Sequence, residues 1–214
     1  MKISVNNIEL NYKVVGFGTP LICIHGNGED HHTFDELSDV IKTNYQVFLI
    51  DSRFHGESQK DVAINFDLMA NDMIEFCKIL NLENVDFLGF SDGGIIGLKV
   101  AILKPDLVNK LYICGANYHP RGIKSDIFKT IKKTYIQNKS PLLKLMIKEP
   151  KFHIKDLKNI KHEVFIFAGE KDVIKYKHTL KLHYYLKNSK LYIFPNESHE
   201  SYVMHEIKLA KYLL

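Results

Sequence analysis

The segment Gly89-Phe90-Ser91-Asp92-Gly93 sets a hydroxyl between two glycines, where the apolar run VDFLGF meets a stretch of helical period, IIGLKVAIL. A nucleophile on a strand-to-helix turn needs a cramped backbone. Small residues two before and two after it let strand and helix approach without colliding Cβ atoms. Such a turn exposes the Ser91 hydroxyl above the helix amino terminus, where free N–H groups face developing negative charge. The chemistry this serves is acyl transfer, and it requires a base, because a serine hydroxyl attacks poorly until its proton is taken.

Eleven histidines compete for that task, and a histidine suits it because its pKa lies near neutrality. His199 is placed best. It follows the last apolar run, in the loop Pro195-Asn196-Glu197-Ser198, whereas His178, His183 and His205 fall in segments of helical pattern. His25 also ends an apolar run but lies early in the chain, and it reads as hydrogen-bonding support for its own loop. The imidazole needs a carboxylate to accept its other N–H. After VFIFAG the chain offers two, Glu170 and Asp172. Asp172 is the candidate acid and Glu170 the alternative, better suited to capping the helix that follows. Two backbone N–H groups can receive an oxyanion: that of Asp92, and that of Asn27 in the turn His25-Gly26-Asn27-Gly28. No GxGxxG, Walker-type GxxxxGK or HExxH string is present, and the histidines and carboxylates lack metal-ligand spacing. The expectation is therefore no cofactor and no metal.

These groups must be held by an ordered scaffold, and the chain is written as one. Short apolar runs alternate with longer helical patterns, as in a mostly parallel sheet with crossover helices on both faces. Residues 2–5 and 8–15 predict a hairpin around Asn6-Asn7. Strands are predicted at LICIH, 45–50, 85–90, 110–115, 164–169 and 190–194, with helices over 32–42, 66–80, from Ser91 to Pro105, 175–186 and 203–213. The interval 116–162 is too long for a simple crossover. It contains helical segments near 123–137, 141–148 and 153–159, interrupted by Pro141 and Pro150. An insertion there lies over the carboxyl edge of the sheet, where open α/β folds hold ligands. It reads as a small helical lid, 118–161, in a single domain spanning 1–214.

The net charge of +4 is unevenly spread: residues 118–161 carry twelve Lys or Arg against three Asp or Glu, leaving about −5 elsewhere. This basic run reads first as a solvated surface and second as a means of steering anionic substrates. No nucleic-acid-binding signature accompanies it. No apolar stretch reaches membrane-spanning length, no signal-peptide core precedes the first strand, and Cys23, Cys77 and Cys114 sit inside apolar runs. A cytoplasmic protein without stable membrane association is expected, its partner a small-molecule substrate.

Over residues 8–214 the chain resembles the α/β-hydrolase superfamily, in its lid-bearing branch of esterases, lipases and C–C bond hydrolases. The motifs that carry the resemblance are HGNG at 25–28, DSRFHGES at 51–58, GFSDGG at 89–94, AGEKDVI at 168–174 and NESHE at 196–200. The resemblance implies Ser91 as nucleophile, Asp172 as acid, His199 as base, and the amides of Asn27 and Asp92 as the oxyanion hole. It gives Asp51, Arg53 and Ser58 a structural part. Phe54 departs from the glycine common in that block, and the lid is short for the branch. The Asp92 side chain resembles that of amino-acid-ester hydrolases in which a carboxylate holds a substrate amine, although a surface or capping part is the plainer reading. The function implied is a serine hydrolase cleaving a small or medium carboxylic ester through an acyl-enzyme; the alternative is amide or C–C bond hydrolysis with the same triad.

Overall fold

The structure is a computed structural model describing residues 1–214. Its chain begins with the hairpin β1 (Lys2–Val5) and β2 (Ile8–Val15). Asn6 and Asn7 between them have φ of 47° and 62°, the left-handed pair that a two-residue hairpin turn requires and asparagine tolerates. The remaining strands are β3 (Thr19–Ile24), β4 (Tyr45–Ile50), β5 (Val85–Phe90), β6 (Val108–Cys114), β7 (Glu163–Gly169) and β8 (Ser189–Phe194). They form one sheet in the order β1-β2-β4-β3-β5-β6-β7-β8. β1 and β2 are antiparallel to their neighbours and the other six strands run parallel. The central strands are covered on both faces, which is why they read as mainly apolar runs; every residue of β5 is buried, including Asp86, whose carboxylate accepts from the Asn109 side chain and Lys110 N–H.

Helices α1 (Asp35–Ile41) and α8 (Ala210–Leu213) pack on one face, with Leu37, Ile41, Leu209 and Leu213 in the core beneath them. On the other face lie α2 (Phe66–Ile79) and α3 (Asp92–Leu103). Between β6 and β7 come α4 (Ser125–Asn138), α5 (Pro141–Lys148) and α6 (Ile154–Asn159), and α7 (Tyr176–Tyr185) links β7 to β8. Lys139, left-handed at φ 55°, ends α4, and Pro141 opens α5. The three helices divide by what they bury. Leu157 of α6 and the following Ile160 join the main core, so this part is a crossover packed on the body. α4 and α5 each bury a single residue: Leu145 of α5 also joins the main core, whereas Ile131 of α4 belongs to a separate small cluster with Ile123 and Ile174.

The helix expected over 203–213 is a correction, since only its last turn is helical. Tyr202 and Val203 are fully buried in turns, and the Tyr202 hydroxyl donates to the Phe167 carbonyl at 3.1 Å. His205 then takes φ 51°, which a continuous right-handed helix cannot accommodate.

Candidate active site

The turn that carries the candidate nucleophile is built by two glycines. A Cβ on Gly89 would overlap the Gly93 carbonyl group, and one on Gly93 would overlap the carbonyl oxygen of Ile24 at the end of β3. With both absent, α3 starts hard against the sheet. Ser91 between them is held at φ 49°, ψ −109°, a region costly for a residue with a side chain. Its N–H donates to the Cys114 carbonyl at 2.7 Å, so β6 pins the strained residue in place.

Two loops at the same sheet edge bring the partners. Asp172 follows β7 and His199 follows β8. The loops are laced together by Lys171 N–H to Glu197 C=O at 2.8 Å and by Asn196 N–H to the Glu170 carboxylate at 2.8 Å. Glu170 therefore secures the histidine loop and does not cap α7, contrary to the expectation for it. His199 Nδ1 lies 2.7 Å from Asp172 Oδ1, and its Nε2 lies 3.1 Å from Ser91 Oγ. Because the carboxylate can only accept, Nδ1 carries the proton of the neutral ring and Nε2 is free to accept from the serine. Asp172 is 3% exposed, and its Oδ1 also accepts from Ile174 N–H at 2.8 Å. Gly115, at φ 61°, gives the imidazole its room: a Cβ there would stand 2.7 Å from the ring.

The backbone N–H groups of Asn27 and Asp92 have no partner within the protein. The Asn27 side chain donates to Asp92 Oδ2 at 2.9 Å and so ties the two turns together. Behind the Asn27 turn, His25 Nε2 accepts from Ser52 N–H at 3.1 Å while Nδ1 donates to the Gly26 carbonyl at 2.7 Å. Burial holds His25 neutral by lowering its pKa to about 4. Asp51 accepts from the Glu57 and His31 N–H groups and from Asn11, Arg53 forms a buried pair with Asp72, and Ser58 donates to the Asp51 carbonyl. All three support loops and none reaches the triad.

A cavity of about 30 Å³ opens between Ser91 and His199, roofed by Ile127 and Ile131 of α4 and Met146 of α5. That volume holds about two waters. Its polar wall was only partly foreseeable. Asp92, expected at the surface or as a cap, is 4% exposed and lines the cavity. Burial pushes its carboxyl up to about 6, Asn27 opposes the shift by its hydrogen bond, and Glu29 and Glu149 add to it. Glu149 and Asn117 also line the cavity. In sequence Glu149 is one acid inside a basic run, with nothing to mark it. Contrary to the expectation of no metal-ligand clustering, Asp30, His31 and His32 bring potential ligand atoms within 4.8 Å of one another. Both imidazoles there are already engaged, His31 by Asp51 at 2.8 Å and His32 by Asp35 at 2.5 Å. No helix is long and apolar enough to cross a membrane.

A family profile described as "alpha/beta hydrolase fold" matches residues 19–141. The chain belongs to this family. Among curated proteins it is 27% identical to the human serine hydrolase BPHL over 232 residues, covering 92% of this chain and 79% of that one. It is 29% identical over 119 residues to the 2-hydroxy-6-oxo-6-(2'-aminophenyl)hexa-2,4-dienoic acid hydrolase of Metapseudomonas resinovorans, covering 53% of this chain and 41% of that one. It spans 55% or less of the length of several curated relatives. Among solved structures, an esterase from Exiguobacterium antarcticum superposes with a TM-score of 0.86 at 20% identity, covering 99% of this chain and 97% of that one. This α/β-hydrolase chain thus keeps the parallel sheet and both flanking helical layers of the family.

Proposed function

We propose that the protein is a serine hydrolase acting on small or medium organic carbonyl compounds, with Ser91 as nucleophile, His199 as base and Asp172 as its orienting acid. The observation that carries this reading is the unbroken line from Ser91 Oγ through His199 to Asp172, at 3.1 and 2.7 Å, beside two unpaired amides. Ser91 attacks the carbonyl carbon as Nε2 takes its proton, and the oxyanion sits on the Asn27 and Asp92 N–H groups. Collapse breaks the bond to the leaving group, which takes the proton back from His199. Water, deprotonated by the same nitrogen, then releases the acid.

The relatives support C–C cleavage, part of the alternative reading, ahead of the carboxylic ester that sequence reading puts first. The Metapseudomonas hydrolase is named for a substrate with a ketone and no ester bond to break. In this chain the leaving carbon would take its proton from the His199 imidazolium. The carboxylates of Asp92 and Glu149 in the cavity wall favour a substrate that also bears an amine. At about 30 Å³ the cavity is too small for any such compound, so α4 and α5 act as a lid that lifts to admit it. We place the protein in the cytoplasm on its three buried, unbridged thiols, acting on a soluble substrate without stable membrane association.

The test is a panel of vinylogous ketone, amide and ester substrates, with and without an amine, run on wild type beside Ser91→Ala. Ketone or amide turnover that the variant loses is the expected result. Turnover of esters alone restores the first reading. A fluorophosphonate probe that labels a residue other than Ser91 sinks the nucleophile assignment.

A further inference from the structure

The basic run seen in the sequence resolves into something more local. A short ladder joins the segment after β6 to the segment after β7: Lys124 N–H donates to Val173 C=O at 2.9 Å, and Lys175 N–H to Gly122 C=O at 2.8 Å, with Ile123 opposite Ile174. Ile123, Val173 and Ile174 of this ladder line the catalytic cavity. Arg121 and Lys175, at its other end, line a separate open cleft of about 320 Å³, together with His119, Lys177, His178 and Lys181. Four cations from two chain segments thus meet in one concavity, and no carboxylate lines it. Lys175 Nζ donates to the Arg121 carbonyl at 2.8 Å, while the Arg121 guanidinium and the Lys177 and Lys181 ammonium groups form no ion pair.

The cleft also has a rigid wall. The His178 ring stacks on Tyr118 with centroids 3.8 Å apart and planes 8° from parallel, and its Nε2 accepts from Tyr118 N–H at 3.1 Å. The Nδ1–H is then a donor with no partner in the protein. Burial, and then the nearby His119, Lys175 and Lys181, lower the His178 pKa to about 4. The ring stays neutral in the physiological range, chiefly because it is buried.

We propose that this cleft is an anion-binding site for a phosphate or pyrophosphate group, distinct from the catalytic cavity and separated from it by the ladder at 122–124 and 173–175. A guanidinium with free donors, clustered ammonium groups and a fixed imidazole N–H match the several acceptor oxygens of such a group. Arg121 lies two residues from Ile123 of the cavity wall, in the short turn Pro120–Gly122. A substrate long enough to span the ladder would place a phosphate in the cleft while its carbonyl sits at Ser91. The same group can also arrive free, as an effector. The substrate-borne case rests on the hydrolase reading above; binding itself does not.

Calorimetric titration of inorganic pyrophosphate into the full chain tests the site without reference to turnover. Saturable binding is expected to weaken about tenfold in Arg121→Gln/Lys181→Gln, and to stay unchanged in a control, Lys2→Gln/Lys78→Gln. Absence of saturable binding overturns the proposal, as does equal weakening in both variants. Kinetics with nitrophenyl esters separate the sources. A lower KM for a phosphate-bearing ester than for a neutral one, lost in Arg121→Gln/Lys181→Gln, supports the substrate-borne group. A change in neutral-ester turnover on adding pyrophosphate supports the free effector. Fluorophosphonate labelling of Ser91 is scored separately, so a failed hydrolase reading and a failed anion site give different results.

Discussion

The two walls of the catalytic cavity are made differently. The wall carrying Ser91, Asp172 and His199 stands on strand ends whose neighbours are almost fully buried, and its turns are cramped enough that Gly89, Gly93 and Gly115 admit no side chain. The facing wall, α4 and α5, buries one residue per helix: Ile131 of α4 in a cluster of three isoleucines, and Leu145 of α5 at the margin of the main core. Chemistry that demands placement within a fraction of an ångström sits on the first, because dense packing leaves no alternative arrangement. Under the proposed function, admission of substrate falls to the second, since a wall with few buried contacts opens at lower cost. The difference teaches that position and access are separately encoded, and each can be broken alone.

The largest effect belongs to the rigid wall. Ser91→Ala is expected to lower kcat by about five to six powers of ten, and Asp172→Ala by about three to four, with the melting temperature of Ser91→Ala near wild type. Glu170→Ala removes the bond to Asn196 N–H but leaves the triad carboxylate, so its kcat should stay within about tenfold of wild type. Steady-state kinetics on the three purified variants decide the matter. A crippled Glu170→Ala beside an active Asp172→Ala would exchange the two assignments and break the account of the rigid wall.

That wall was also the more legible one in the sequence. The strands at 45–50 and 85–90 have the boundaries read from their mainly apolar runs, which Gln46 and Asp86 interrupt near their starts, since a doubly covered parallel strand is apolar over most of its length. The spacing around Ser91 was legible for a similar reason: the turn tolerates almost nothing else. The 203–213 segment was misread because Tyr202 and Val203 are apolar for the sake of the sheet face they cover, and composition alone cannot separate that from a helical stripe. Asp92 is buried in a cavity wall that residues of α4 and α5 also line, and it accepts from Asn27; none of these is its sequence neighbour. The basic cleft was half visible, because Lys175, Lys177 and Lys181 lie outside the charged run and join it only through the ladder.

Asp92 is where the rigid wall carries a cost, and it yields a pH prediction. An ordinary aspartate titrates at 3.8 and burial raises this one to about 6. The folded state holds this proton more tightly than the unfolded chain does, so the contribution of Asp92 to stability is greatest below 3.8 and is lost as pH rises through about 6. Above that range the native protein carries a buried charge. Asp92→Asn keeps a polar side chain and the backbone N–H, and removes the charge. It should stabilise the protein by on the order of 2 kcal/mol at pH 8, with the gain vanishing toward pH 4. Urea denaturation of both proteins at pH 4 and pH 8 measures this. A gain that is the same at both pH values would show that the buried charge is compensated in a way the Asn27 bond alone does not explain.

The smallest expected effect on global stability sharpens the comparison most. Ile131 in α4 and Ile113 in β6 are both buried isoleucines, at 9% and 1% exposure. Ile113 sits in the main core among the sheet and α3, so Ile113→Ala should cost about 2–5 kcal/mol in cooperative unfolding. Ile131 belongs to the three-isoleucine cluster that roofs the cavity. If α4 and α5 open as a unit ahead of global unfolding, that unit absorbs the loss. Ile131→Ala should then change the global unfolding free energy by less than about 1 kcal/mol while speeding amide exchange across 125–138 and leaving 85–90 unchanged. The enlarged roof should also admit bulkier substrates, seen as a lower KM for longer chains at nearly constant kcat, because the triad is untouched. Native-state hydrogen exchange and chemical denaturation of the two variants carry the decision. A global cost for Ile131→Ala equal to that for Ile113→Ala would mean that α4 unfolds only with the sheet, and that access is controlled by something other than the lifting of this wall.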